Sequence, residues 1–100
     1  MASNQARLYR QNTTLMAEGT LDRAAATRLW PQLSGLLEGA ESLDLAGVTQ
    51  LDSAGLALLA EAAAQLRKRS GTDVTVAGNA PGLDALRAAY RLSPTLDFQA

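Results

Sequence analysis

The sequence predicts a single α/β domain with a mixed central β-sheet and helices packed against it, and three observations lead there. Helix-period and strand-period segments alternate along the 100 residues. A strand–helix–strand unit runs from Leu43 to Ala77, and its long helical crossover makes the two strands parallel and the connection right-handed. Ahead of it, two short segments separated by Gln11-Asn12-Thr13 read as a β-hairpin, which adds an antiparallel pair. The resulting element order is β-β-α-β-α-β-α.

Taken in order, residues 6–10 and 14–18 form the hairpin, with Leu15 and Ala17 on one face of its second strand. Asp22 is an N-cap residue. Beyond it, Ala26, Leu29, Trp30, Leu33 and Leu37 follow the spacing of one helix face. Pro31 cannot donate to the carbonyl of Thr27 and its ring crowds it, so the helix must kink or restart there; Gly39 closes it. Residues 42–45 form a short strand. Residues 53–70 are the strongest helix, ended by Gly71, and residues 74–77 are a β-branched strand ended by Gly78-Asn79. Pro81 suits the first turn of a last helix with Leu83, Leu86 and Tyr90 on one face. Ser93-Pro94 stops that helix. Leu96 and Phe98 give the tail something to pack, while residues 1–5 and 97–100 read as loose ends.

Composition narrows the function classes. A hydrophobic fraction of 47% belongs to a globular chain. A net charge of −1 gives no basic face for nucleic acid. The basic run Arg67-Lys68-Arg69 suits the last turn of a helix, where cations complement the dipole. With no histidine and no cysteine, the chain lacks the commonest general base, a thiolate nucleophile and the usual zinc ligands. There is no Gly-rich phosphate loop, and no cofactor is expected. The first residues have no apolar signal core, and no apolar run approaches the roughly 18 residues of a membrane span. A cytoplasmic domain without direct membrane insertion is the expectation.

The segment Leu43-Asp44-Leu45-Ala46-Gly47-Val48-Thr49-Gln50-Leu51-Asp52-Ser53-Ala54-Gly55-Leu56 carries the chemistry. It runs from an apolar strand through a loop into the long helix, and Ser53 is read as the residue capping that helix. Free backbone N–H groups lie beside it, and an anion is favoured there. Small neighbours leave the hydroxyl within reach of a partner. A phosphate would add about −1.5 to −2 charges, welcomed by the helix end and opposed by Asp52. Catalysis is not expected, because a nucleophilic serine needs a base and Lys68 lies about four turns away along the same helix. On that helix an apolar arc runs from Leu58 through Ala62, Leu66, Leu59, Ala63 and Leu56 to Ala60. It is wider than a helix on one sheet buries, so Leu56 and Ala60 are expected to stay exposed, with Leu59 and Leu66 facing the sheet.

The stretch Leu43-Asp44-Leu45 … Leu51-Asp52-Ser53-Ala54-Gly55-Leu56 resembles the signature of STAS domains, named for sulfate transporters and anti-sigma factor antagonists. Leu15-Met16-Ala17-Glu18-Gly19-Thr20-Leu21-Asp22 is similar to the element that leads into that family's first helix. The spacing of the two elements and the later Val74-Thr75-Val76-Ala77-Gly78 agree, so the resemblance covers residues 8–96. It implies the STAS fold. Two branches of the family bear on function. One is the small cytoplasmic subunit of Mla-type ABC transporters, which move phospholipids to maintain outer-membrane lipid asymmetry. Ala26-Thr27-Arg28-Leu29-Trp30-Pro31, Gly55-Leu56-Ala57-Leu58-Leu59 and the short ending after Leu92-Ser93-Pro94 resemble that branch. The other is the anti-sigma factor antagonists, phosphorylated at the Ser53 position by a partner-switching kinase. Some transporter-branch members carry threonine where Ser53 stands.

The resemblance to the transporter branch implies a non-enzymatic subunit that binds the ATPase of a complex with a permease and a lipid-binding partner. Attachment to the inner membrane is then peripheral, through the complex. Docking would use Ser53, its flanks Asp52, Ala54 and Gly55, and Leu56 and Ala60, with Asp22 close by. The alternative partner is an anti-sigma factor kinase.

Overall fold

The computed structural model describes residues 5–93, 95 and 96. Strand β1 (Arg7–Gln11) pairs antiparallel with β2 (Thr14–Leu21), from Arg7↔Glu18 to Gln11↔Thr14. Asn12 makes the turn at φ +56°, a left-handed value that asparagine tolerates better than most residues. Strand β3 (Ser42–Leu51) lies parallel to β2, and β4 (Thr75–Ala77) parallel to β3. The sheet order is β1-β2-β3-β4, so an antiparallel hairpin is joined to a parallel unit, as expected.

β3 is longer than the predicted 42–45 because its alternation is interrupted. The β2–β3 register shifts once between Met16 and Glu18 and again between Gly19 and Thr20. Leu43 and Leu45 point into the core, but the next buried position is Val48 rather than residue 47. A one-residue slip of this kind moves every later side chain to the opposite face. The Asp44 carboxylate accepts the Ala46 N–H at 2.8 Å and so satisfies a donor at the irregularity. The pairing recovers and ends at Leu21↔Leu51.

Helix α1 (Arg23–Leu29) is capped by Asp22, whose carboxylate accepts the Ala25 N–H at 2.9 Å. Pro31 has the predicted effect: Trp30–Gln32 is a 3₁₀ turn, after which α2 (Leu33–Leu36) restarts the helix. The tighter turn keeps Leu29 and Leu33 in the core but swings Trp30 outward, to 43% exposure, against its expected place on the buried face.

Helix α3 (Ser53–Ser70) matches its predicted bounds and ends at Gly71 in the left-handed region. Leu59 and Leu66 face the core as expected. Leu56 and Ala60 do not stay exposed: Leu56 is 2% exposed and Ala60 8%. The reason is that α3 rests on more than a sheet. It packs on β2 and β3, on α1 and on α4 (Leu83–Tyr90). Three neighbours bury a wider arc than one. The Arg67-Lys68-Arg69 run closes the helix: Arg67 bonds the Thr95 carbonyl at 2.9 Å and Asp73 at 3.5 Å, while Arg69 bonds the Ser34 carbonyl at 3.0 Å.

Gly55 sets how closely α3 approaches the sheet. A Cβ at this position would overlap the carbonyl of Leu21. The helix therefore sits directly on the end of β2, and Asp52 N–H donates to the same Leu21 oxygen at 3.2 Å.

The last helix departs from expectation at both ends. Its cap is Gly82, at φ +81°, with Pro81 outside the helix, because the chain needs a left-handed residue to turn into α4. It stops at Arg91, also left-handed, before Ser93 is reached; the Leu92 N–H bonds the Arg87 carbonyl at 2.9 Å. That turn buries Leu92 and leaves Tyr90 49% exposed rather than on the core face. Leu96 is buried, as the tail reading expects; Pro94 and Phe98 lie outside the described residues.

Two predictions follow from this packing. Truncating Leu59 or Leu66 to alanine should cost about 2–5 kcal/mol in urea titration; a loss below about 1 kcal/mol would mean that neither side chain is a core element. Gly55→Ala should cost about 1–3 kcal/mol, because its methyl meets backbone that cannot rotate away. The same substitution at Gly35, where a Cβ meets nothing within 4 Å, should stabilise the fold slightly or leave it unchanged, and equal losses at the two glycines would refute the steric account.

Candidate functional site

Two parallel strands that end in the same register place two helix starts side by side. Leu21-Asp22 leads into α1 and Leu51-Asp52 into α3, and Leu21 and Leu51 are paired. Each aspartate has the same task. Asp52 accepts the Gly55 N–H at 2.9 Å, as Asp22 does for Ala25. Asp52, not Ser53, is therefore the N-cap of α3, and Ser53 is its first helical residue. Aspartate reaches the third N–H of the helix with a charged acceptor, a bond stronger than a hydroxyl supplies.

The consequence falls on Ser53. Its hydroxyl has no capping bond to make, it is exposed, and it has no hydrogen-bond partner among the described residues. The N–H groups of Ser53 and Ala54 belong to the unsatisfied first turn. Ser53 thus presents a free hydroxyl and free donors to whatever approaches the helix end.

A groove of about 570 Å³ opens beside it. Leu56, Ala57, Ala60 and Leu92 make its apolar lining, and Arg23, Asp52, Ser53, Ala54 and Tyr90 complete it. Ser53, Asp52, Ala54, Leu56 and Ala60, all singled out from the sequence, meet in this one place. Leu56 and Ala60 serve as its floor and not as projecting contacts, since both are buried. Gly55 is buried beneath the surface and acts by letting α3 sit close to β2. Asp22 lies outside the groove, in a neighbouring depression lined with Thr20, Gln50, Asp52, Pro81 and Gly82.

Sequence reasoning missed Arg23, Tyr90 and Leu92. Arg23 had a signal, since it follows Asp22 just as Ser53 follows Asp52, and the two open the helices that leave the paired strands. Tyr90 and Leu92 had none, because their position depends on the left-handed turn at Arg91.

The Tyr9 phenol is pushed above its ordinary value, first by donating to Glu18 at 2.7 Å and then by desolvation and the Glu18 charge, with Arg7 opposing. Tyr9 alternates with buried Leu8 and pairs with Met16, so it belongs to the sheet face turned away from the helices. Among the described residues no group of three acidic or sulfur- or imidazole-bearing side chains is gathered as a metal site. None of their helices is long and apolar enough to cross a membrane.

Comparison with known proteins agrees with this fold. The family described as "Mlab, STAS domain" matches residues 4–96. The intermembrane phospholipid transport system binding protein MlaB of Escherichia coli K12 is 33% identical over 79 residues, covering 79% of this chain and 80% of that protein. The protein of the same name from Shigella flexneri matches with the same identity and coverage. The α/β fold, the mixed sheet and the extent of these matches lead to one assignment: the chain belongs to the STAS-domain family of the MlaB type.

Proposed function

We propose that this chain is a non-enzymatic STAS subunit of an ABC phospholipid transporter maintaining outer-membrane lipid asymmetry. It binds and regulates or stabilises the transporter's ATPase through the start of α3. The observation that carries this reading is the free Ser53 hydroxyl at the edge of an apolar groove, on a chain whose relatives are named as binding proteins of an intermembrane phospholipid transport system. Apolar floor, exposed polar rim and small residues that let another backbone come close are what a protein interface asks for. A nucleophilic serine needs a base at hydrogen-bond distance. The sequence has no histidine, and Lys68 stands roughly 22 Å along the helix at 1.5 Å per residue. The subunit sits at the cytoplasmic side of the inner membrane through the complex and not through lipid contact.

The test separates docking from folding. Because Asp52 provides the cap, Ser53→Ala should change stability by no more than about 0.5 kcal/mol in thermal melting. Ser53→Glu keeps a residue that the helix end accepts, yet puts a charge into a partly apolar contact, where desolvation opposes it. The acidic variant should stay folded and monodisperse while its affinity for the purified ATPase of its transporter falls by roughly tenfold or more. Near-native affinity in the folded variant would remove Ser53 from the interface. Co-purification of a tagged chain with a serine kinase or sigma-regulatory protein, and no ATPase, would replace the transporter reading with that of a phosphorylated antagonist.

A further inference from the structure

We propose that the groove beside Ser53 takes a partner segment carrying an apolar side chain next to a carboxylate, with Tyr90 and Arg23 selecting the two. The inference rests on the docking reading above and adds the chemistry of the ATPase segment that docks.

Charge decides half of it. Arg23 and Asp52 are the charged residues of the groove. Asp52 keeps its charge while accepting the Gly55 N–H, so an incoming carboxylate is drawn to the Arg23 end of the groove and away from Asp52. Arg23 makes no ion pair or hydrogen bond among the described residues, although most arginines of the helical layer are engaged: Arg28 bonds the Ala6 carbonyl at 2.7 Å, Arg69 the Ser34 carbonyl and Arg87 Asp84. A free guanidinium beside apolar surface, near the unsatisfied N–H groups of Ser53 and Ala54, is complementary to a carboxylate, which it can hold through two parallel bonds.

Shape decides the other half. The floor of Leu56, Ala60 and Leu92 is already buried and offers no projecting side chain. The contact must come from the partner, as an apolar side chain entering the groove. Tyr90 is 49% exposed at its edge. A half-exposed tyrosine beside a pocket is the type of residue that carries much of an interface's energy, as is arginine.

Three variants and one cross-link test this with the full chain and the purified ATPase of its transporter. Arg23→Glu places glutamate in the first turn of α1, which the helix dipole favours, so the fold is retained; affinity should fall roughly tenfold and the salt dependence of binding should flatten or reverse. Tyr90→Ala should lose roughly thirtyfold, while Tyr90→Phe keeps most of the affinity. A photoreactive residue at position 90 should then cross-link to the ATPase. Changing the carboxylate nearest that cross-link to lysine should restore binding to Arg23→Glu and not to Tyr90→Ala. Unchanged affinity in Arg23→Glu and Tyr90→Ala, with Ser53→Glu still defective, would overturn this proposal and leave docking at Ser53 intact. Absence of ATPase binding by the unmodified chain would overturn both. Should light scattering show a dimer of this chain that Arg23→Glu dissociates, with ATPase affinity unaffected, the occupant is a second copy and the proposal fails.

Discussion

Gly55 lies so close to the Leu21 carbonyl that no side chain fits between them, and the position of the candidate surface follows from that contact. With α3 seated on the end of β2, the Asp52 N–H reaches the Leu21 oxygen and the Asp52 carboxylate turns back to cap its own helix. The start of α3 is thereby held against the start of α1, which Asp22 caps in the same way one strand over. A bulkier residue at position 55 would lift α3 away from β2 and separate those two helix starts. The groove that Arg23 and Ser53 both line exists because those helix starts are kept together.

The parallel β2–β3 pairing has the same role at longer range. Its two register shifts let a strand of ten residues run beside one of eight and still finish with Leu21 opposite Leu51. Without the shifts the two Leu-Asp steps would not stand level. Sheets of this kind bind at the carboxyl ends of their parallel strands, where loops and helix N-termini converge. Here those ends carry aspartates that are occupied with capping, so the free chemistry passes to the residues after them, Arg23 and Ser53.

Much of this was legible in the sequence, for physical reasons that differ from element to element. The bounds of α3 could be read because an Asp-Ser step, a long Ala/Leu arc and a terminal glycine all agree. Pro31 announced the break between α1 and α2 because it has no N–H to give. The length of β3 could not be read, since a strand that changes phase at Ala46-Gly47 shows no sustained alternation. The burial of Leu56 and Ala60 was hidden because it comes from α1 and α4 flanking α3, a tertiary effect that no periodicity reports. Trp30 and Tyr90 were misplaced for a related reason: each stands at a point where the helix geometry changes, a 3₁₀ turn in one case and a left-handed cap in the other. Ser53 and the neighbours that share its groove could be picked out from the sequence, while the Arg23 and Tyr90 lining needed the fold.

Exchanging the roles of Asp52 and Ser53 is a small correction with a large effect on what the site can do. A serine that caps a helix has its oxygen bonded inward, and a partner must break that bond to use it. A serine in the first helical position, with an aspartate capping in front of it, keeps its hydroxyl outward at no cost to the helix. Capping falls to Asp52, and the adjacent Ser53 is left exposed. The same arrangement governs what a negative charge at position 53 would meet. The unsatisfied N–H groups of the first turn favour it, the Asp52 carboxylate beside it opposes it, and an apolar partner surface opposes it more strongly because desolvation is added to repulsion. A charge at Ser53 is therefore tolerated by the free domain, and under the proposed docking it would be penalised on binding. That asymmetry makes this residue a place where binding can be weakened without unfolding the domain.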